Sequence, residues 1–320
     1  MNSKHPVIVA AILAGLCLAL PHPGLAQDTS ASSGQATDTS KLRWKLNQGE
    51  SYTLNLSQKT TAKTEIDSRS NRVNSDVKIQ FQWDIDNVDD DGVATIKQSI
   101  ASIAVSVSDP EVPAQAVAFD TDSDQKPSRN SRDLLKQVKP LIGLEFVVSL
   151  SNRGELLNVE LPEETEKRIN ELPNALRLKA LFNQQGLTEL LRSSTLVFPE
   201  SLTEKKWQTD DLQSTPFGKL NRTVNYTLDD TSDSAWSIQS NISVSSETQT
   251  DEEIIASKTG DKGAKLIAFN GSGTLKFDPV SGRVVSSNST STAKTSAEYR
   301  EKTIVTNVTS VVEMQLTPKQ

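Results

Sequence analysis

The chain has 320 residues, with 34 Lys and Arg against 41 Asp and Glu, a net charge of −7 and aromatic residues at 5%. No basic tract gathers that could neutralise a phosphate backbone, so nucleic acid is not an expected partner, and the small negative excess serves mainly solubility. Both histidines, His5 and His22, and the single cysteine, Cys17, lie among the first 26 residues.

Those 26 residues read as an export signal. Lys4 gives a short positive start, Val7 to Leu20 is an unbroken apolar run, and Gly24-Leu25-Ala26 places small residues before a cut that would leave Gln27 as the mature start. The run of about 14 residues falls short of the roughly 20 needed to span a bilayer. Lipid attachment at Cys17 is disfavoured because the large Leu16 stands directly before it. The mature chain then has no imidazole and no thiol, which removes disulfides, thiol nucleophiles, histidine acid–base chemistry and the commonest soft metal ligands. Neither enzymatic activity nor a cofactor is expected. Aromatics are also too few for the two girdles of an outer-membrane barrel.

Residues 27–41 hold nothing apolar larger than alanine and are expected to form a disordered tether. Order is expected from Leu42-Arg43-Trp44-Lys45-Leu46, followed by Tyr52, Leu54 and Leu56 on one face. Val77, Ile79, Phe81, Trp83 and Ile85 alternate with polar residues and predict a strand with one buried face. After the Asp89-Asp90-Asp91-Gly92 turn the chain returns with Ile96 and Ile100 in one phase and Ile103, Val105 and Val107 in the other, which predicts a β-bulge near Ala101-Ser102. Asp109 to Asn130, rich in Pro and Asp, reads as a long loop, of a length that is often functional. Ser131 is expected to cap a short helix ending at Pro140, and a hairpin about Ser151-Asn152-Arg153-Gly154 follows.

From Pro162 to about Arg192 the period becomes helical, with Ile169 and Leu172 inward and a second helix carrying Leu178, Leu181 and Phe182 up to Gly186. Strands resume after Trp207: Val224, Tyr226 and Leu228, then Trp236, Ile238, Ile242 and Val244, then Leu275 and Phe277 into the Asp278–Gly282 turn. The last strand keeps Ile304, Val308, Val312, Met314 and Leu316 in one phase, a span of about 40 Å. Such lengths suit a large, curved antiparallel sheet.

The acidic clusters read as local structure. Asn87, Asp89, Asp91 and Gly92 match the start of a calcium loop, but Gln98 stands where a bidentate glutamate belongs and the flanks are strands, which favours a hairpin turn. Glu163-Glu164 fits a helix start, and neither it nor Glu252-Glu253 spans a cleft on sequence grounds. No nucleophile elbow, phosphate loop or dinucleotide fingerprint is present.

Trp44 with Leu46, Gly49 and Tyr52, then Asp84-Ile85-Asp86 with Asp91-Gly92, Gly143 to Phe146 with Gly154, Phe198-Pro199 before Trp207, and Phe277-Asp278 with Gly282 form a layout of turns and aromatics. It resembles an uncharacterised family of exported bacterial proteins common in planctomycetes, over most of residues 42–316. A departure is the lack of a glycine just before Trp207. The resemblance implies architecture and export and supplies no activity.

The expected organisation is a signal peptide (1–26), a tether (27–41), an N-terminal β sub-domain (42–161), a helical insert (162–200) and a C-terminal β sub-domain (201–320): mainly β (α+β), in large antiparallel sheets that are either two related halves or fused sheets, with a central helical insert. The expected role is a non-enzymatic binding or structural component of the cell envelope, periplasmic or extracellular. The rival expectation is a carrier whose half-barrel groove, capped by helices within 162–192, holds a lipid or another apolar ligand.

Overall fold

A computed structural model describes residues 25–26, 42–67, 69–172, 182–192, 196–200, 205–215, 218–231, 235–246, 265–299 and 302–319. The expected tether, the helix over Leu178 and Leu181, and the Glu252-Glu253 pair lie outside the described residues.

Among the described residues thirteen strands follow in chain order: β1 (Leu25–Ala26), β2 (Ser51–Ile66), β3 (Arg69–Val88), β4 (Ala94–Ser108), β5 (Val117–Asp120), β6 (Glu145–Leu150), β7 (Leu156–Glu160), β8 (Lys206–Thr215), β9 (Gly218–Thr231), β10 (Trp236–Ser246), β11 (Lys265–Asp278), β12 (Arg283–Tyr299) and β13 (Lys302–Pro318). Among the described residues the α-helices are α1 (Arg129–Val138), α2 (Glu163–Glu171) and α3 (Gln184–Arg192). The strands form one open antiparallel sheet in the order β1-β8-β9-β10-β11-β12-β13-β2-β3-β4-β6-β7, with β5 on β4. Strands from both sides of the helical stretch therefore share a single sheet. The long seam between them is β13 on β2, which pairs Leu316 with Leu54, Ser310 with Thr60 and Ile304 with Ile66.

Strict alternation builds this sheet: β2 reads half-buried, buried over its first eight residues, and β3 does the same from Ser75 to Ile85. The predicted bulge is real. Gln80 pairs with Ser102 and Phe81 with Ile100, which leaves Ala101 as the extra residue and lets Ile96, Ile100, Ile103 and Val107 all reach the inner face.

Two local expectations need correction. The long loop contains β5, whose Phe119 is buried opposite Val105; the four-residue strand is too short to stand out in a Pro- and Asp-rich stretch. The cap of α1 is Ser128, whose Oγ accepts the Ser131 N–H at 3.3 Å, while the Ser131 Oγ accepts from Ala118 N at 3.0 Å and ties α1 to β5.

Candidate functional site

One end of the sheet is sealed by chain crossing over it. Residues 42–46 run along the hairpin ends, with Trp44 N donating to Asn152 O at 2.7 Å and Lys45 N to Gly282 O at 2.9 Å. Above them lies a strap, residues 196–200. Its carbonyls need donors once buried, and four side chains supply them. The indoles of Trp44 and Trp207 take Leu196 O and Val197 O, each at 3.1 Å, Arg153 Nε takes Phe198 O at 3.0 Å, and Arg43 takes Pro199 O and Glu200 O at 3.1 and 2.9 Å. Phe198 is fully buried and meets Phe277 edge-on at 5.0 Å, and Trp207 stacks on Tyr226 at 5.0 Å. Gly154, at φ +88°, lies so close under the strap that a Cβ would fall on Leu196 O and the Trp44 indole.

Beside this seal, Tyr52 donates its hydroxyl to Glu50, and Arg283 donates to Tyr52 Oη with its guanidinium 4.8 Å from the ring centre. Burial, followed by the Glu50 bond, pushes the Tyr52 phenol up to about 12.

Along the inner face the chemistry changes with distance from the seal. Tyr52, Leu54 and Leu56 on β2 and Leu316, Met314 and Val312 on β13 are buried and apolar. A belt of small or polar groups follows: Gln58 and Thr60, Ser310, Ser289 and Ser291, Ser240, and Gly271 and Gly273. Gln58 Nε2 donates to Ser310 Oγ at 2.9 Å, and Thr60 and Ser310 lie 3.3 Å apart. Beyond the belt the same phase passes Ala62, still buried opposite Val308, and continues through Thr64 and Ile66, Val73, Ala293, Ile304, Thr306 and Val308, all half-buried.

Arg222 belongs to the belt's flank and is fully buried, directly opposite Asp211 on β8. Burial lowers its pKa to about 10, with Tyr226 and Asp211 opposing, so it remains a cation at neutral pH. Burial pushes Tyr226 up to about 12, with Arg222 and the Thr209 hydroxyl pulling the other way. Sequence reading passed over Arg222. Its signal was present: it sits in the same phase as Leu220, Val224, Tyr226 and Leu228, where an inward-facing arginine demands an acidic partner.

The outer face is polar. Asn74, Thr61, Thr309, Thr292, Asn270 and Ser243 stand side by side on adjacent strands from β3 to β10. Transmembrane barrels carry apolar side chains on the face that meets lipid, and this sheet inverts that arrangement.

Among the described residues the acidic candidates sit on separate local elements. Asp89 Oδ1 accepts from Asp91 N and Val93 N at 3.0 and 2.8 Å, the work of a hairpin turn. Glu163 and Glu164 occupy the first turn of α2. Among the described residues no group of three or more His, Cys, Asp or Glu could hold a metal ion, and no helix is long and apolar enough to cross a membrane.

Fold and site thus define a large antiparallel sheet with an apolar inner face sealed at one end. The model of a family of unknown function, DUF6263, matches residues 91–284, and the chain belongs to that family. No curated protein sequence matches it. Among solved structures, lipovitellin, in a study of its lipid–protein interactions, is similar over 86% of this chain at 9% identity and a TM-score of 0.47. The chain spans 26% of lipovitellin's length. An outer membrane channel from Pseudomonas putida F1 is similar over 90% of this chain and 100% of its own, at 8% identity and a TM-score of 0.23. OccK5 of Pseudomonas aeruginosa is similar over 84% of this chain and 98% of its own, at 8% identity and a TM-score of 0.25.

Proposed function

We propose that this is an exported, non-enzymatic protein of the cell envelope that binds an apolar ligand on the unsealed half of its inner face. The observation that carries the reading is the gradient along β2 and β13. Side chains in one continuous phase pass from fully buried at the seal to half-exposed at Ile66, Ile304 and Val308. Aliphatic side chains left half-exposed in a row that faces the core favour an apolar guest, at about 25 cal/mol for each Å² removed from water. Thr64 and Thr306, whose hydroxyls lie 3.2 Å apart, satisfy each other and leave the row without an unmet polar demand.

The polar outer face supports a protein that stays in water and presents its apolar side inward. A purely structural envelope role would need no such gradient. Within the expected cap, α2 is tied to the β6 end by Thr165 Oγ1 on Glu145 O at 2.7 Å, and α3 to β7 by Gln184 Nε2 on Val159 O at 2.8 Å. These helices cover the sheet's β6–β7 edge. The matching roles of Trp44 and Trp207 on one strap support reading the two meanders as related halves about the insert.

Titration of the full chain with a pyrene-labelled fatty acid tests the reading. Saturable binding is expected, weakened at least about tenfold by Val308→Arg, which sets an unpaired charge among the aliphatic side chains. Binding that never saturates, or that ignores Val308→Arg, would refute it.

A further inference from the structure

The outer face carries a second candidate, distinct from the apolar inner face. On β4 and β5 three small side chains, Ala104, Ser106 and Ala118, lie next to one another in register, and on β3 Lys78 flanks Ala104 while Asp76 flanks Ser106. The chain beyond β5 folds back beside this low floor through Lys126 and Pro127, and lines a solvent-open cavity of about 330 Å³. That volume lies at the lower end of ordinary small-molecule sites. Its lining bears both signs of charge, with Asp76, Lys78 and Lys126.

Asp76 is the informative member. Its Oδ1 is buried and has no hydrogen-bond partner among the described residues. Asp120, in the same cavity, has Oδ1 occupied by the Asp122 N–H at 2.9 Å. A carboxylate oxygen taken out of water with no donor is destabilising, and a cationic N–H from a guest would complete it. The lysines offer the complementary charge to a carboxylate. The long Pro- and Asp-rich segment, which the apolar reading does not use, gains a role as the wall of this cavity.

We propose that the cavity binds a small zwitterion of amino-acid to dipeptide size, with its ammonium on Asp76 and its carboxylate toward Lys78 and Lys126. The test is calorimetric titration of the full chain with L-alanyl-L-alanine, with its N-acetylated form and with its C-terminal amide, alongside Asp76→Asn and Ala104→Leu. One saturable site is expected for the free dipeptide, weakened at least about tenfold by blocking either end. Asp76→Asn should mimic the loss seen on acetylation, and Ala104→Leu should remove binding by filling the floor. Because the blocked dipeptides probe the unaltered protein, the result stands even if a variant fails to fold. No saturable heat up to about 10 mM dipeptide, or equal affinity for free and blocked forms, would overturn the proposal.

Discussion

Trp44 and Trp207, 163 positions apart in the sequence, donate their indole N–H groups to neighbouring carbonyls of one strap, Leu196 O and Val197 O. The first precedes the opening long strand, and the second sits in β8. Replacing either by Phe removes the donor, leaves a buried carbonyl unmet and opens a gap, a loss of about 2 to 4 kcal/mol. The double variant should lose less than the sum, because a strap freed at one carbonyl no longer holds the other in place. Urea denaturation of the four proteins checks both points.

Gly154 and Gly49 separate steric from conformational cost. Both have positive φ, +88° and +85°, but nothing lies within 4 Å of a Cβ at Gly49, whereas at Gly154 the strap and the Trp44 indole are in the way. Gly49→Ala should cost about 1 to 2 kcal/mol, the left-handed penalty alone. Gly154→Ala should cost more than about 3 kcal/mol, since overpacking is added. Thermal melts of the two single variants give the comparison.

Acid should weaken the sealed end. The Ser281 hydroxyl, aided by the Ser281 and Val280 N–H groups and Arg283, holds the Asp278 carboxyl below the usual range against a burial effect. For Glu50 burial works upward, but Tyr52, Asn47 and Arg283 outweigh it. A carboxyl with a depressed folded pKa stabilises fully above its unfolded value, about 4, and loses that contribution as pH falls through the folded one. Stability is therefore expected to drop below about pH 4, and Asp278→Asn should flatten that slope in circular dichroism followed against pH.

In alkali the sign reverses. Tyr52 and Tyr226 are pushed up to about 12, so the folded chain keeps phenolic protons that the unfolded chain releases near 10. Their stabilisation is present below about 10 and is lost as pH rises toward 12. Buried Arg222, lowered to about 10, works in the opposite direction. Phenolate absorbance should show both tyrosines ionising late, and Tyr226→Phe should remove one of the late steps.

A polar outer face predicts behaviour at membranes as well. The protein is expected to remain in the aqueous phase on detergent phase separation and not to insert into liposomes as a barrel does. Insertion giving protease-resistant strands would contradict the inverted arrangement of the two faces.

Much of this was legible in short-range pattern. Alternation located β2, β3, β10 and β13, and the phase change between Ile100 and Ile103 disclosed the bulge at Ala101. The turns and aromatics of the family resemblance also proved physically connected, since Trp44, Gly154, Phe198, Trp207, Phe277 and Gly282 gather at the sealed end. The pairing of β13 with β2 was not legible, because alternation sets a strand's face but not its neighbour. The strap escaped for a related reason: its bonds are backbone carbonyls, which carry no sequence signature. The Asp76 cavity was hidden because its floor is made of alanine and serine, residues that announce nothing until their strands are placed side by side.

The central claim is tested most directly by organic extraction and mass spectrometry of the protein purified without detergent from a bacterial envelope fraction. A lipid recovered near one per chain from the unaltered protein, and lost from Val308→Arg, is the expected result. Protein that carries no extractable lipid and yields none after incubation with envelope lipids would contradict it.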